Sequence, residues 1–352
     1  GGRPHILAGT GSGTAVLWNY KEGRRERRWG GFDHSIGRVT MLEDGTPAWA
    51  ERTNGSQSCS VYVGTDHEPQ TLSEFAGSVT ALEPIGEGRL LATGRRHSAR
   101  ILLPGHRKPL CERTFNFWVR QARKCPGQDA VALGYDGVAV VELPSLRVRS
   151  RIGKTRLNGT ARAFAVGPRG EDLIVGKYNW VVSVYFEDGS SSLAVLHKTL
   201  AYHDGRVEGV ETIPNHRAIV SAGSEGLMRF TDAKSGRSLG AIAAPGDRPT
   251  SLHVAPEAPA LALGHRDGSV SLWDLHPLEL PRLMQSPLAR MTPNDLGTLK
   301  ALSDREPLPE AARAATRYME SIVHHRLRHA PEIVETADIL EGEFDIEIEE
   351  TV

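Results

Sequence analysis

The sequence predicts an all-β fold, a β-propeller of about seven blades followed by a C-terminal helical extension, and three observations carry that expectation. The segment Gly264-His265-Arg266-Asp267-Gly268-Ser269-Val270-Ser271-Leu272-Trp273-Asp274 recurs in weaker copies about every 40 to 45 residues, the spacing of a propeller blade. Those copies begin at Ala8-Gly9-Thr10, Thr93-Gly94-Arg95, Leu133-Gly134-Tyr135, Val175-Gly176-Lys177 and Ala222-Gly223-Ser224. Each is a β-rich run, a turn and a second run. After Leu280 the period of two stops, Pro281, Pro287 and Pro293 mark a linker, and Leu296, Leu299, Ala301 and Leu302 follow at helical spacing, so residues 1–285 form the propeller and 286–352 the extension.

The unit from Val207 to Leu239 shows how one blade is written. Val207 and Val210 belong to a first strand, and Ile213-Pro214-Asn215 turns the chain. Ala218-Ile219-Val220-Ser221-Ala222 is small and β-branched, as a strand buried on both faces requires. Gly223-Ser224-Glu225-Gly226 turns again, and Leu227-Met228-Arg229-Phe230-Thr231 alternates apolar with polar. Ser238-Leu239-Gly240-Ala241-Ile242 supplies a fourth strand. The same order fits the units around Val79–Leu103, Ala130–Ile152, Ala163–Tyr185 and Ser251–Trp273; the unit from His34 to Phe75 is the least regular. At the start, His5–Gly9, Thr14–Trp18 and Arg24–Trp29 read as second, third and fourth strands. A first strand is missing, which we read as a start inside a blade rather than a gap filled by Phe344-Asp345-Ile346-Glu347-Ile348-Glu349, whose charges suit an innermost strand poorly.

These residues resemble the WD-repeat family. Trp273-Asp274 matches its closing dipeptide, Trp18-Asn19 and Phe230-Thr231-Asp232 are near matches, and Val184-Tyr185 stands where a Trp is expected. His203-Asp204-Gly205-Arg206-Val207 and His34-Ser35-Ile36-Gly37-Arg38-Val39 resemble the family's His before a first strand. The resemblance implies a blade network of His, turn Asp, Ser or Thr, and Trp, of which single units keep fragments. It covers residues 1 to 285 as a pattern and specifies fold far more than function.

In the extension, Thr292-Pro293-Asn294-Asp295 opens a helix, and a longer one runs from about Pro309 or Glu310 to His329. Ala311, Ala315, Tyr318, Met319, Ile322, Val323 and Leu327 form one stripe, expected against the propeller flank. This end resembles those of propeller components that accompany bacterial ATPase and adhesion-type domains, which implies a part or sensor module of a multi-protein signalling or defence system.

Composition narrows the function classes. The chain has 352 residues, 39% of them hydrophobic, and a formal net charge of −1, so no global charge calls for nucleic acid or a membrane surface. Every charged residue from Glu332 to Val352 is acidic, which leaves the body basic; the tail is expected to compete for that body in a salt-sensitive way. Cys59, Cys111 and Cys125 are sparse and odd in number, and neither a signal peptide nor a spanning segment is written, so we expect a cytoplasmic protein. Asn54-Gly55-Ser56 and Asn158-Gly159-Thr160 are then idle turns.

No catalytic residue, cofactor or metal site is expected. Gly9-Thr10-Gly11-Ser12-Gly13 lies between strands as a hairpin turn rather than opening a helix onto phosphate. His325 and His329, one helical turn apart beside His324, suit a shared metal, but a cationic helix end explains them more simply. Arg24, Arg25, Arg27 and Arg28 between Tyr20 and Trp29 suit nucleic acid, but equally a charged edge strand that discourages pairing. The turns between second and third strands gather Arg95, Arg96, Tyr135, Lys177, Tyr178, Trp180, His265 and Arg266 on one face. Aromatic residues and Arg dominate binding hot spots, so this face is the expected site for a protein partner. The leading expectation is a non-enzymatic interaction scaffold; an enzyme or ligand binder using the central channel is the competing class.

Overall fold

A computed structural model describes residues 5–53, 57–65, 68–125, 127–152, 161–166, 172–178, 180–186, 193–213, 218–233, 236–244, 247–255, 260–275, 291–303 and 310–329. Both Asn-Gly turns of the sequons and the acidic tail lie outside them. The chain divides into two compact units, Gly1–Trp273 and Asp274–Val352.

Among the described residues, the first unit is seven antiparallel sheets, each an uninterrupted meander. The first holds β1 (His5–Gly9), β2 (Thr14–Asn19) and β3 (Arg24–Gly30). The second holds β4 (Ser35–Met41), β5 (Pro47–Arg52), β6 (Ser58–Val63) and β7 (Gln70–Ala76), and the third β8 (Val79–Gly86), β9 (Arg89–Gly94), β10 (Ser98–Leu102) and β11 (Cys111–Thr114). The fourth holds β12 (Gln121–Lys124), β13 (Ala130–Gly134), β14 (Val138–Glu142) and β15 (Val148–Ile152). The fifth comprises β16 (Ala163–Val166), β17 (Asp172–Gly176), β18 (Trp180–Phe186) and β19 (Leu193–Tyr202). The sixth comprises β20 (Val207–Ile213), β21 (Ala218–Gly223), β22 (Leu227–Asp232) and β23 (Ser238–Ala243), and the seventh β24 (Pro249–Val254), β25 (Ala260–His265) and β26 (Val270–Asp274). First strands neighbour one another in order from β4 through β8, β12, β16 and β20 to β24, a propeller-like arrangement.

Burial follows position within a sheet. Second strands such as β13 and β21 are buried along their whole length, as their small and β-branched residues allow, while β23 at an outer edge is exposed throughout. The core therefore lies between neighbouring sheets. Phe75, Val79, Leu82 and Leu90 join the second sheet to the third, and Val138, Val140, Phe164 and Leu173 join the fourth to the fifth.

The repeated glycine at the end of several second strands has a packing cause. A Cβ on Gly134 would stand 2.5 Å from Phe164 Cε1 in the next sheet, one on Gly176 2.6 Å from Val207 Cγ1, and one on Gly9 2.5 Å from Ile36 Cγ2. Neighbouring sheets meet so closely there that only a hydrogen fits. Gly9 meeting the first strand of the next sheet, as Gly134 and Gly176 do, places β1 in second-strand position, and the first sheet has three strands among the described residues.

The second unit contains α1 (Pro293–Ser303) and α2 (Glu310–His329). Thr292 caps α1 as the sequence predicts. Its main-chain N–H and its hydroxyl both donate to Asp295 Oδ2 at 2.8 Å, and the Asp295 N–H donates to Thr292 Oγ1 at 3.3 Å, a reciprocal capping box. Met291, Leu299 and Val323 are buried together, with Leu296, Met319 and Leu327 against them. The expected stripe is thus only partly apolar in effect: Tyr318, assigned to it, is 68% exposed, because Val323, Met319 and Leu327 face α1 and Tyr318 does not.

Candidate functional site

The structure sorts the residues expected on the turn face into exposed and buried. Arg95, Arg96, Tyr178 and Arg266 are exposed, and Tyr135 is half-buried. Lys177 is 3% exposed and His265 5%, so these two are buried. Burial pushes the Lys177 ammonium below its ordinary pKa. Trp180 is not in the turn either; it opens β18, paired with Tyr202.

One cleft assembles part of the expected face around a segment that the sequence reading passed over. Phe115-Asn116-Phe117-Trp118 places three aromatic residues in four positions of a chain that is 6% aromatic, the signal that marked it. Phe115 and Val119 are buried between the third and fourth sheets and anchor the segment. The Phe115 N–H donates to the His97 carbonyl at 2.9 Å, and the Arg120 N–H donates to the Gly134 carbonyl at 2.7 Å. His97 offers that carbonyl from a left-handed conformation with φ 67°. Both ends of the segment are therefore fixed to turns of the flanking sheets, and its aromatic middle is held in place before any partner arrives.

The resulting cleft has a volume of about 360 Å³ and is lined by His97, Asn116, Phe117, Trp118, Arg120, Tyr135 and Asp136. Phe117 stacks on Phe115 at 5.0 Å between ring centroids and on Tyr135 at 4.4 Å. The Tyr135 hydroxyl donates to the Ile152 carbonyl at 3.2 Å, and burial raises its pKa. The Arg120 guanidinium lies 4.3 Å from the Trp118 ring centroid and that of Arg95 5.6 Å, both within cation–π range. Asp136 stands 3.7 Å from Arg120. Trp118 Nε1 and Arg120 Nε are both buried donors that meet no acceptor among the described residues. An orphaned buried donor costs about 1–3 kcal/mol, so the cleft holds a standing preference for an acceptor.

Two histidines form clamps within sheets. His203 Nδ1 lies 2.5 Å from Glu225 Oε1 and its Nε2 lies 2.8 Å from Ser221 Oγ. A Ser-His-carboxylate row of this kind also serves nucleophilic catalysis. Here Ser221 is 1% exposed, and the row ties β21 to the turns beside it. Glu225 stands where the family resemblance implies a turn Asp, and Phe230 where it implies Trp. In the seventh sheet His265 Nδ1 donates to the Asp247 carbonyl at 2.8 Å, which leaves Nε2 to accept from Ser271 Oγ at 2.8 Å; Trp273 Nε1 donates to the same oxygen at 3.2 Å. Trp18, a near match to the same position, is 42% exposed.

The first strands carry a charged network. Arg123 of β12 reaches Glu83 of the neighbouring β8 at 3.4 Å and Glu211 of β20, which is not a neighbour, at 2.8 Å. His253 Nδ1 stands 3.8 Å from Glu211. Burial holds the Arg38 guanidinium down to about 10, with Arg52 and Arg123 adding repulsion, while Arg38 Nε donates to the Thr80 carbonyl at 2.7 Å.

The remaining candidates gather no site. Trp29, which flanks the arginine cluster, is buried against Trp49 at 4.9 Å between centroids and presents no face to a base. His324 and His325 are exposed, the side chain of His329 lies outside the described residues, and among the described residues no group of His, Cys, Asp or Glu has metal-binding geometry. No helix is long and apolar enough to cross a membrane. Searches for relatives find no family model that matches the chain and no curated protein that matches its sequence.

Proposed function

We propose that this chain is a non-enzymatic protein-interaction module, a seven-bladed WD-repeat-like propeller that receives a partner at the Trp118 cleft. The observation that carries the reading is a preassembled aromatic and cationic cleft, fixed by the main-chain bonds of Phe115 and Arg120, on the strand ends where the repeat turns gather. Trp, Tyr and Arg in a partly desolvated pocket are the usual composition of an interaction hot spot. The Arg123 network across the first strands supports a surface site over a channel site, since a ligand there would have to displace two ion pairs. Cytoplasmic residence belongs to the same proposal. It is supported by three free cysteines, of which burial pushes the Cys59 and Cys125 thiols up to about 11.

Affinity capture from native extract tests the reading. Wild-type chain, Trp118→Ala, Arg95→Ala and Arg147→Ala are compared at equal folded concentration, Arg147 being exposed at the opposite end of the fourth sheet. A captured partner is expected to drop at least tenfold with Trp118→Ala and Arg95→Ala and to persist with Arg147→Ala. Equal capture by all four chains sinks the proposal.

A further inference from the structure

Resting on that reading of the cleft, we propose that its occupant is an acidic peptide segment of the partner, one of whose Asp or Glu side chains places its carboxylate against Trp118 Nε1 and Arg120 Nε. The two N–H groups are buried, and neither meets an acceptor among the described residues. A carboxylate has two oxygens, each able to accept more than one hydrogen bond, and it satisfies both donors at once. A neutral amide offers a single carbonyl oxygen together with an NH2 that brings two further donors to a site already rich in them.

Charge selects the same group. Arg95 and Arg120, both resting on the Trp118 ring, bring two positive charges, and Asp136 on the wall of the cleft returns one negative charge. A monoanion complements the guanidiniums with the least repulsion from Asp136. A phosphate near its dianionic form brings excess negative charge against the Asp136 carboxylate, which Coulomb repulsion penalises at this range. Stacking on Trp118 also holds the guanidiniums where they are needed, so little side-chain freedom is lost when the carboxylate arrives. The Phe117 and Tyr135 rings supply apolar walls for the methylenes of the acidic residue and for an apolar neighbour.

The test uses the full chain, labelled with nitrogen-15, and follows the indole N–H resonances, that of Trp118 being assigned through Trp118→Phe. Three blocked pentapeptides serve as probes: acetyl-Gly-Leu-Glu-Leu-Gly-amide and its counterparts with Gln or phosphoserine at the centre. The Glu peptide is expected to shift the Trp118 resonance saturably and to bind at least tenfold more tightly than the Gln peptide and more tightly than the phosphoserine peptide. Trp118→Phe, which keeps an aromatic ring but loses the N–H, and Arg120→Gln are each expected to weaken the Glu peptide about tenfold. Equal binding of the Glu and Gln peptides overturns the assignment, as does undiminished binding to both variants; tighter binding of phosphoserine makes the cleft a phosphate site instead. If the Glu peptide leaves Trp118 unmoved while partner capture still depends on Trp118, the carboxylate assignment falls and the partner surface stands. If the peptide binds as described while capture ignores Trp118, the partner surface falls alone.

Discussion

His203 has none of its side chain exposed, yet both of its ring nitrogens are hydrogen-bonded, and that combination decides its protonation. Burial is the largest influence on the ring and lowers its pKa; the adjacent Glu225 carboxylate pulls the other way and does not prevail. The neutral ring then donates from Nδ1 to Glu225 and accepts the Ser221 hydroxyl proton at Nε2. Protonation turns Nε2 into a donor, so the bond to Ser221 must reverse and the Ser221 hydroxyl loses its acceptor. A His with a folded pKa below its unfolded value of about 6.5 binds fewer protons folded than unfolded, so its contribution to stability is complete above that value and shrinks as pH falls below it. We therefore expect the melting temperature of the β unit to drop between about pH 7.5 and about pH 5.5, above the range where carboxylates titrate. His203→Gln, which lacks the titrating ring, should melt lower at the upper pH and show a shallower slope. A slope unchanged from wild type would place the pH response elsewhere.

At the scale of elements, the close approach of sheets at Gly9, Gly134 and Gly176 gives the repeated glycine its energetic meaning. Phe164, which a Cβ on Gly134 would strike, is 1% exposed and has no room to turn aside. Gly134→Ala should therefore destabilise the chain by about 1–3 kcal/mol, the usual cost of overpacking a tight core. Gly11, also in a repeat turn, has open space around its would-be Cβ, and Gly11→Ala should stay within about 0.5 kcal/mol. Denaturant midpoints of the two variants measure the contrast, and equal midpoints would remove steric approach as the reason for the repeat glycine. The same contrast explains what was legible. Second strands such as β13 and β21 announce themselves because burial on both faces demands small and β-branched residues. Strand β12, Gln121-Ala122-Arg123-Lys124, has no such mark, since its Arg123 faces charged partners on other first strands and only Ala122 is fully buried. At the site, Arg95 and Tyr135 were legible from turn position alone. Lys177 and His265 occupy equivalent turns but fold inward, and Trp118 lies in a link between sheets whose importance comes from the two flanking turns that hold it. Position in a repeat gives which end of a sheet a residue occupies; it does not give whether the side chain leaves the sheet or enters it.

For the molecule as a whole, the buried clusters between neighbouring sheets are apolar and local, whereas Arg123 of β12 ties its neighbour β8 to β20, which is not a neighbour of either strand. Its removal tests how much that longer-range tie contributes. Burial, the largest influence on Glu83, holds its carboxyl above the ordinary range; the same burial acts on Glu211, but there Arg123 and His253 together bring it below. The two carboxylates therefore push stability in opposite directions as pH changes: Glu211 contributes stability above the unfolded carboxyl value of about 4.3 and loses it on acidification, while Glu83 is relieved by acid. In Arg123→Ala both carboxylates stay in place without their shared cation, and both folded pKa values rise above the unfolded one. Each group then binds more protons folded than unfolded, so the variant loses stability as pH climbs from about 4.5 to about 7. Breaking a fully buried pair costs about 3–5 kcal/mol, and the partial exposure of Arg123, 32% of its side chain, brings the expected loss near neutral pH to about 2 kcal/mol. The deficit relative to wild type should shrink at about pH 4.5, and Glu83→Gln added to Arg123→Ala should recover part of it near neutral pH because one of the two uncompensated charges is gone. Urea titrations at the two pH values read all three quantities. A deficit that is equal at both, or a double variant no more stable than Arg123→Ala, would mean that Arg123 acts by packing its stem between the strands rather than by its charge.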